Sequence, residues 1–198
     1  MLKTVFDYVT AVIGLVMLSP LLLITGLLIR ILMPGRVFFV QQRVGKEGKE
    51  IGVIKFRTME EASGTEGGDI HIGDYSRVTP LGKILRRTKI DELPQLINIL
   101  RGEMSVVGPR PEVRKWTSVY PDLWAVVHRV KPGVTDSASV EFVNEEKILA
   151  ASPDPERTYR EEILPRKLEL YVSYVNNHSF AGDLRIILHT IEAVITGR

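Results

Sequence analysis

The sequence predicts an α+β fold: a helix-rich single domain with a small antiparallel β-hairpin, preceded by an N-terminal re-entrant membrane segment of helix-break-helix form. Three observations lead there. In the apolar stretch 9–33 the only strong intrusions are Ser19, Pro20 and Arg30. Two short apolar or β-branched runs, 37–42 and 51–56, flank the turn-rich Gly45-Lys46-Glu47-Gly48, the pattern of a hairpin. Further on, apolar residues recur mostly at the three-and-four spacing of helices.

The apolar segment comes first. A straight helix over residues 9–33 runs about 37 Å, enough to cross a hydrocarbon core. It is too long for a signal peptide, and no small-residue cleavage site follows it. Pro20 lies near its midpoint, where it removes a backbone hydrogen bond, and the Ser19 hydroxyl can re-satisfy the freed carbonyl. Both flanks are basic, Lys3 on one side and Arg30, Arg36 and Arg43 on the other, so the charge rule places both ends in the cytoplasm. By residues alone, a spanning helix and a hairpin that turns back stand level. We divide the chain into an anchor at 1–36 and a catalytic domain at 37–198.

Charge is segregated along the 198 residues. Residues 1–59 carry a net +5, 60–76 a net −5, 77–131 a net +6 and the remainder −4. A basic central block suits phosphate groups, nucleic acid or an anionic lipid surface. The chain has no cysteine, which excludes disulfides, thiolate metal sites and a thiol nucleophile, and fits a reducing compartment. The stretch 60–76, with four glycines and five acids, reads as a mobile surface loop.

Pro80 opens a short helix bearing Leu81, Ile84 and Leu85. A second helix carries Leu93, Leu96, Ile97 and Leu100 and ends at Gly102. Residues 104–107 read as a buried strand, and Gly108-Pro109-Arg110-Pro111 as a stiff turn around one arginine. Near the C-terminus, Leu168, Tyr171, Val172 and Val175 share one helical face and Leu184, Ile187, Leu188, Ile191 and Ile195 another. Both are expected on the core, with the bilayer surface as the alternative for the last.

The chemistry centres on Asp91-Glu92 at the start of the second helix. Acids there ordinarily cap the helix and complement its dipole. Here Arg86, Arg87 and Lys89 lie just upstream, and Arg110 and Arg114 flank the rigid turn. A carboxylate among cations stays ionised and suits a nucleophile or a magnesium ligand, while the cations suit a diphosphate. The histidines at 71, 128, 178 and 189 show no metal-ligand spacing, and there is no phosphate loop or nucleophile elbow. Trp116 and Trp124 are expected in core packing, and no pattern of nucleic-acid binding accompanies the basic block.

A set of blocks then carries a resemblance. In order they are Ser19-Pro20 in the apolar segment, Phe39-Val40-Gln41-Gln42-Arg43-Val44-Gly45, Lys55-Phe56-Arg57-Thr58-Met59, Lys89-Ile90-Asp91-Glu92-Leu93-Pro94-Gln95-Leu96, Asn98-Ile99-Leu100-Arg101-Gly102-Glu103-Met104-Ser105, Val107-Gly108-Pro109-Arg110-Pro111 and Lys131-Pro132-Gly133-Val134-Thr135. Together, over about residues 6–135, they resemble the bacterial sugar transferases, the monotopic phosphoglycosyl transferases, in their small form. The resemblance implies transfer of a sugar 1-phosphate from a UDP-sugar to polyprenol phosphate, such as undecaprenyl phosphate, on the cytoplasmic face of the inner membrane, as the first membrane step of glycoconjugate assembly. It implies that Asp91 is the covalent nucleophile and touches Mg2+, and that Glu92 helps hold the metal or manages a proton. It implies phosphate or nucleotide contacts for Arg86, Arg110 and Lys131, with Lys55 and Arg57 as further candidates, and a membrane break at Ser19 and Pro20. No nucleic-acid partner is implied; membrane lipid is, and a homodimer stays open.

One block departs. Many relatives follow the Pro-Gly-Val/Ile-Thr block with glycine, whereas this chain continues Asp136-Ser137-Ala138-Ser139-Val140. That change bears on sugar identity. It also keeps one alternative in view, a catalytically inactive membrane-anchored scaffold of the same fold.

Overall fold

The computed structural model describes residues 2–60 and 76–196. The acidic loop expected at 60–76 and His71 therefore lie, apart from the loop's end residues, outside the described part.

Helix α1 occupies Leu2–Leu32 and continues through Pro20. The backbone shows no non-helical interruption at the expected break. The reason is local: Pro20 cannot donate to the Val16 carbonyl four residues back, and Ser19 Oγ donates to that same oxygen at 2.8 Å. Its buried positions are Asp7, Ala11, Thr25 and Ile29, spaced by four in each half, so one stripe lies on the domain. Val16, Met17, Leu23, Leu27 and Ile31 on the other faces are exposed.

Both ends of α1 are tied to the domain. Asp7 Oδ1 accepts hydrogen bonds from Ser105 Oγ at 2.9 Å and the Val106 N–H at 3.0 Å. Lys3 Nζ donates to the Val107 carbonyl and pairs with Asp183 at 2.7 Å. At the far end the buried Arg57 guanidinium donates to the carbonyls of Met33 and Pro34, satisfying acceptors that a helix C-terminus leaves open.

The hairpin forms as the sequence predicts: β1 (Phe38–Val44) pairs antiparallel with β2 (Glu50–Phe56), with Phe39 opposite Lys55. Next come α2 (Pro80–Arg87), a 3-10 turn (Ile90–Gln95), α3 (Leu96–Leu100) and β3 (Ser105–Val107). Strand β3 pairs in parallel with β4 (Gly133–Thr135), an element beyond the hairpin that the sequence did not suggest. Between them lie α4 (Arg114–Thr117) and α5 (Pro121–Val127); α6 (Ser137–Glu141), α7 (Glu145–Ala151), α8 (Pro155–Thr158), a π turn (Tyr159–Ile163), α9 (Leu164–Asn177) and α10 (Phe180–Thr196) complete the chain.

Three apolar clusters hold these elements. Ala11 of α1 joins Ile51, Val53, Ile99 and Met104; Ile29 and Met33 join Phe56 and Leu85, with Ile90 packed alongside; and Trp116 and Trp124 join Tyr159, Leu164, Leu168 and Tyr171. The tryptophans and the α9 face are thus core, as expected. The α10 face is not. Asp183, 2% exposed, is fixed by Lys3 and by Tyr174 Oη at 2.8 Å, and Thr190, two turns on, meets Thr135 at 2.5 Å. These contacts set the helix rotation and leave Leu184, Leu188 and Ile191 facing outward.

Candidate active site

The expected helix over 93–100 is split, and the split shapes the site. Lys89 adopts a left-handed conformation (φ 57°), which redirects the chain after α2 into the 3-10 turn. Pro94 is accommodated within that turn. The capping position falls on Lys89, so Asp91 and Glu92 occupy the first turn without a side-chain capping bond. Asp91 is 8% exposed, and its Oδ1 is buried with no hydrogen-bond partner. The ordinary job of an acid at a helix start is therefore not what Asp91 does. A buried carboxylate oxygen left unsatisfied costs free energy and calls for another explanation.

Glu92 is the opposite case. Lys55 Nζ, from β2, donates to its Oε1 at 2.9 Å. Arg110, from the turn after β3, donates through Nη1 to Oε2 at 3.1 Å and through Nη2 to Oε1, a two-pronged grip. The Arg110 turn is held in place by the neighbouring block, since Gly108 N–H donates to Thr135 and Gly133 N–H to Pro109. Gly133 is required at this crossing: a Cβ there would stand 2.1 Å from Gly108 N.

The two acids consequently titrate apart. Burial, then the adjacent Glu92 charge, pushes Asp91 up to about 6. Burial also works to raise Glu92, but Arg110 and Lys55 outweigh it and hold that carboxyl well below the usual range. Burial pushes the Lys55 ammonium down to about 8 against the pull of Glu92. Glu92 in turn raises Arg110 well above its ordinary value.

The structure thus brings together Lys55, Asp91, Glu92 and Arg110. The other residues singled out in the sequence lie as follows. Arg86 donates to Thr58 Oγ1 at 3.0 Å and pairs with Glu146 at 3.2 Å. Arg57 turns to the end of α1. Lys131 Nζ stands beside Gly102, 3.7 Å from where a Cβ there would be, and no hydrogen bond or ion pair joins it to the two acids. Ser19 and Pro20 lie mid-way along α1.

Two residues that sequence reasoning left without a role adjoin the site. Asp136, buried, caps α6 by accepting from Ser139 N at 2.8 Å, and its charge acts on Arg110 and on the buried Tyr171. Its capping was readable from the residue type, since aspartate is among the preferred helix caps. Asn98, fully buried, accepts from Ile54 N at 3.1 Å and donates to Gly52 O and Glu103, pinning α3 to β2.

The site also lies against the anchor. Ile90, just before the acids, packs in the cluster of Ile29 and Met33, while Leu96, just after, meets Gly14. The segment bearing the acids is slung along α1 between its two halves.

Magnesium commonly takes one or two carboxylates and completes its shell with substrate phosphates and water. Asp91 Oδ1 fits such a role, while both Glu92 oxygens are engaged by cations. Among the described residues no group of three histidine, aspartate or glutamate side chains forms a metal cage.

An apolar helix long enough to cross a membrane thus lies beside a buried acid with cations gathered next to it. The chain belongs to the bacterial sugar transferase family, whose family model matches residues 1–197. It is 36% identical to the Aeromonas hydrophila UDP-N-acetylgalactosamine-undecaprenyl-phosphate N-acetylgalactosaminephosphotransferase, over 99% of this chain and 44% of that protein. It is 37% identical to an uncharacterized sugar transferase of Bacillus subtilis, EpsL, over 98% of this chain and 87% of that one. A UDP-glucose:undecaprenyl-phosphate glucose-1-phosphate transferase of Caulobacter vibrioides is 34% identical, over 98% and 70%. The chain thus spans less than half of the Aeromonas protein.

Proposed function

We propose that this protein transfers a sugar 1-phosphate from a UDP-sugar to a polyprenol phosphate through a phosphosugar held on Asp91. The observation that carries the reading is the unequal treatment of the two acids: Glu92 is fixed by Lys55 and Arg110, and Asp91 Oδ1 is buried and free of hydrogen bonds. A carboxylate with a raised pKa and few bonds is a better nucleophile than a neutralised one, and is still ionised at neutral pH. The substrate types come from the names of the Aeromonas and Caulobacter relatives.

In the first step an Asp91 oxygen attacks the phosphorus bearing the sugar. A bond forms from that oxygen to phosphorus, the bond to the bridging oxygen breaks, and UMP leaves with the electron pair. In the second, an oxygen of the polyprenyl phosphate attacks the same phosphorus and the bond to Asp91 breaks. The product is a polyprenyl diphosphate sugar, and the carboxylate is regenerated. Parking the phosphosugar lets one site serve a soluble donor and a lipid acceptor in turn. Arg110 and Lys55 supply positive charge beside the reacting phosphate while keeping Glu92 ionised. Asp91 would help hold Mg2+, which when bound would offset the charge of the departing nucleotide.

The anchor reading is part of the same proposal: α1 lies with both of its ends at the cytoplasmic face of the inner membrane. A helix that spans would carry one of its ends away from the domain. Here Lys3 and Asp7 on one side of Pro20, and Ile29 and Met33 on the other, all touch the same domain. With α1 in the interface, the acids between its halves lie at the level where a lipid phosphate resides.

The test is UMP release from a panel of UDP-sugars in the presence of polyprenol phosphate and magnesium, with and without chelator. Asp91→Asn should release none and retain no labelled sugar phosphate. Full turnover in that variant would refute the reading. A wild-type protein silent toward every nucleotide sugar would favour the inactive scaffold.

A further inference from the structure

The first residues of β1 present three consecutive apolar side chains to the outside: Phe38 is 48%, Phe39 36% and Val40 53% exposed. Strand β1 has β2 on one side and no other strand beside it among the described residues, so this is an open sheet edge carrying aromatics, a surface that water-facing proteins avoid. It follows directly on the anchor: Val37 packs in the cluster of Ile29 and Met33 and approaches Gly26 of α1. The ledge is thus continuous with the apolar surface of α1.

Phe39 differs from its neighbours in what it faces. Directly opposite residues of an antiparallel pair project to the same side of the sheet, and Phe39 stands opposite Lys55. Lys55 is the residue whose ammonium reaches Glu92 at 2.9 Å. Phe38 and Val40 project to the other side, where Phe38 stacks on Phe56 at 5.2 Å. Phe39 is therefore a half-open aromatic on the same side of the sheet as a buried cation, two residues beyond the Val37 that packs on the anchor.

We infer that Phe39 is the docking residue for the acceptor lipid: the first isoprene units of the polyprenyl phosphate lie against its ring, and the phosphate points toward Lys55. This rests on the proposed reaction and adds where the acceptor sits. An ordinary phospholipid chain fits the apolar ring equally well, but its phosphate is esterified at both ends and offers no attacking group. Charge complementarity at Lys55 and continuity with α1 favour a single-chain lipid with a terminal phosphate.

The two half-reactions separate this inference from the reading it rests on. Phe39→Ser in nanodiscs should leave the first step intact, seen as stoichiometric UMP release and sugar phosphate retained on the protein without acceptor. It should raise the KM for undecaprenyl phosphate about tenfold, the order expected from losing burial of one aromatic side chain. Phe39→Leu should restore most of it. An equal loss in both half-reactions, or an unchanged acceptor KM, overturns the docking role. A second measurement needs no turnover: a photoreactive short-chain polyprenyl phosphate should label the 38–40 peptide, competed by undecaprenyl phosphate and not by phosphatidylglycerol. Equal competition by phosphatidylglycerol would mark the ledge as a plain membrane contact and sink the inference. A wild-type protein with no UMP release would instead remove the reaction, while the labelling result still decides the lipid site.

Discussion

Arg110 grips both carboxylate oxygens of Glu92, while Asp91, one residue earlier in the same turn, keeps a buried oxygen with no hydrogen bond at all. The pair divides the labour of a site for anionic substrates. Glu92 holds two cations inside the protein, and without it Lys55 and Arg110 would each lose the carboxylate they pair with directly. Asp91 pays for its availability in stability, because burial and the Glu92 charge both oppose its ionisation.

That cost leads to a prediction about Asp91→Asn. A carboxyl raised in the folded state stabilises the fold below its unfolded pKa, and the contribution is lost as pH rises through the folded value, here about 6. At pH 7.5 the wild type has lost it and the amide has not. The variant should therefore be inactive and more stable, by on the order of 2 kcal/mol at neutral pH, with the difference vanishing near pH 4. Thermal melts at the two pH values check this. An Asn variant less stable than wild type at pH 7.5 would show that Asp91 is held by interactions absent from the present structure.

The pH dependence of turnover should be bell-shaped. As pH falls through about 6, Asp91 takes up a proton and loses its nucleophilic form. As pH rises through about 8, Lys55 loses its charge and with it the hold on Glu92 and phosphate. Lys55→Arg, which stays charged, should abolish the alkaline limb and keep the acid one. Rates of UMP release from pH 5 to 9.5 measure both. An acid limb that stays in place when Asp91 is the only titrating group left near 6 supports the assignment; an alkaline limb unmoved by Lys55→Arg refutes the role of Lys55.

Glu92→Gln should couple to that limb. Glu92 raises the Lys55 value, so its removal should move the alkaline limb to lower pH. It also removes the carboxylate that Lys55 and Arg110 pair with directly, which should destabilise the protein by about 3 kcal/mol. Arg110→Lys keeps charge but cannot bridge two oxygens at once, and should lower kcat about tenfold or more. If Arg110→Lys is fully active, the two-pronged grip has no bearing on rate.

These groupings also measure what the chain alone could tell. The hairpin was legible because two apolar or β-branched runs flank a turn-rich stretch, and α2 because Pro80 opens it; the structure adds a cap, with Thr79 Oγ1 accepting from Gly82 N at 3.0 Å. Asp91, Glu92, Lys55 and Arg110 could be named as candidates from their residue types and motif company. Their convergence could not, since it joins a strand, a 3-10 turn and a loop separated by long stretches of sequence. The resemblance offers Lys131 and Arg57 as phosphate contacts, and the structure places the one beside Gly102 and the other at the end of α1, positions fixed by tertiary packing. The α10 face, expected on the core with the bilayer surface as the alternative, turns outward, and an amphipathic pattern gives no sign of which partner receives it. Its rotation is decided by Asp183 and Thr190, polar residues within an apolar run.

The last prediction concerns Gly133, where two motifs separated in sequence touch. A Cβ at 133 would meet Gly108 backbone atoms at 2.1, 2.4 and 2.7 Å, and backbone cannot rotate away as a side chain can. Gly108 leads straight into Pro109-Arg110-Pro111, whose two prolines transmit a displacement at 108 to Arg110 with little slack. Gly133→Ala should therefore push the turn outward, break the hydrogen bond from Gly133 N–H to Pro109 O at 3.0 Å, and carry Arg110 off Glu92. We expect a loss of about 1–3 kcal/mol in stability, in the range for overpacking, and a fall in kcat larger than that loss alone explains. Gly26→Ala is the control. Its Cβ would meet Val37 Cγ1 at 3.6 Å, an ordinary contact, and replacing glycine inside a helix should gain up to about 1 kcal/mol with no change in rate. Thermal melts and UMP release on both variants decide the matter: a Gly133→Ala protein that melts lower but turns over at the wild-type rate would show that the Arg110 turn does not depend on this crossing.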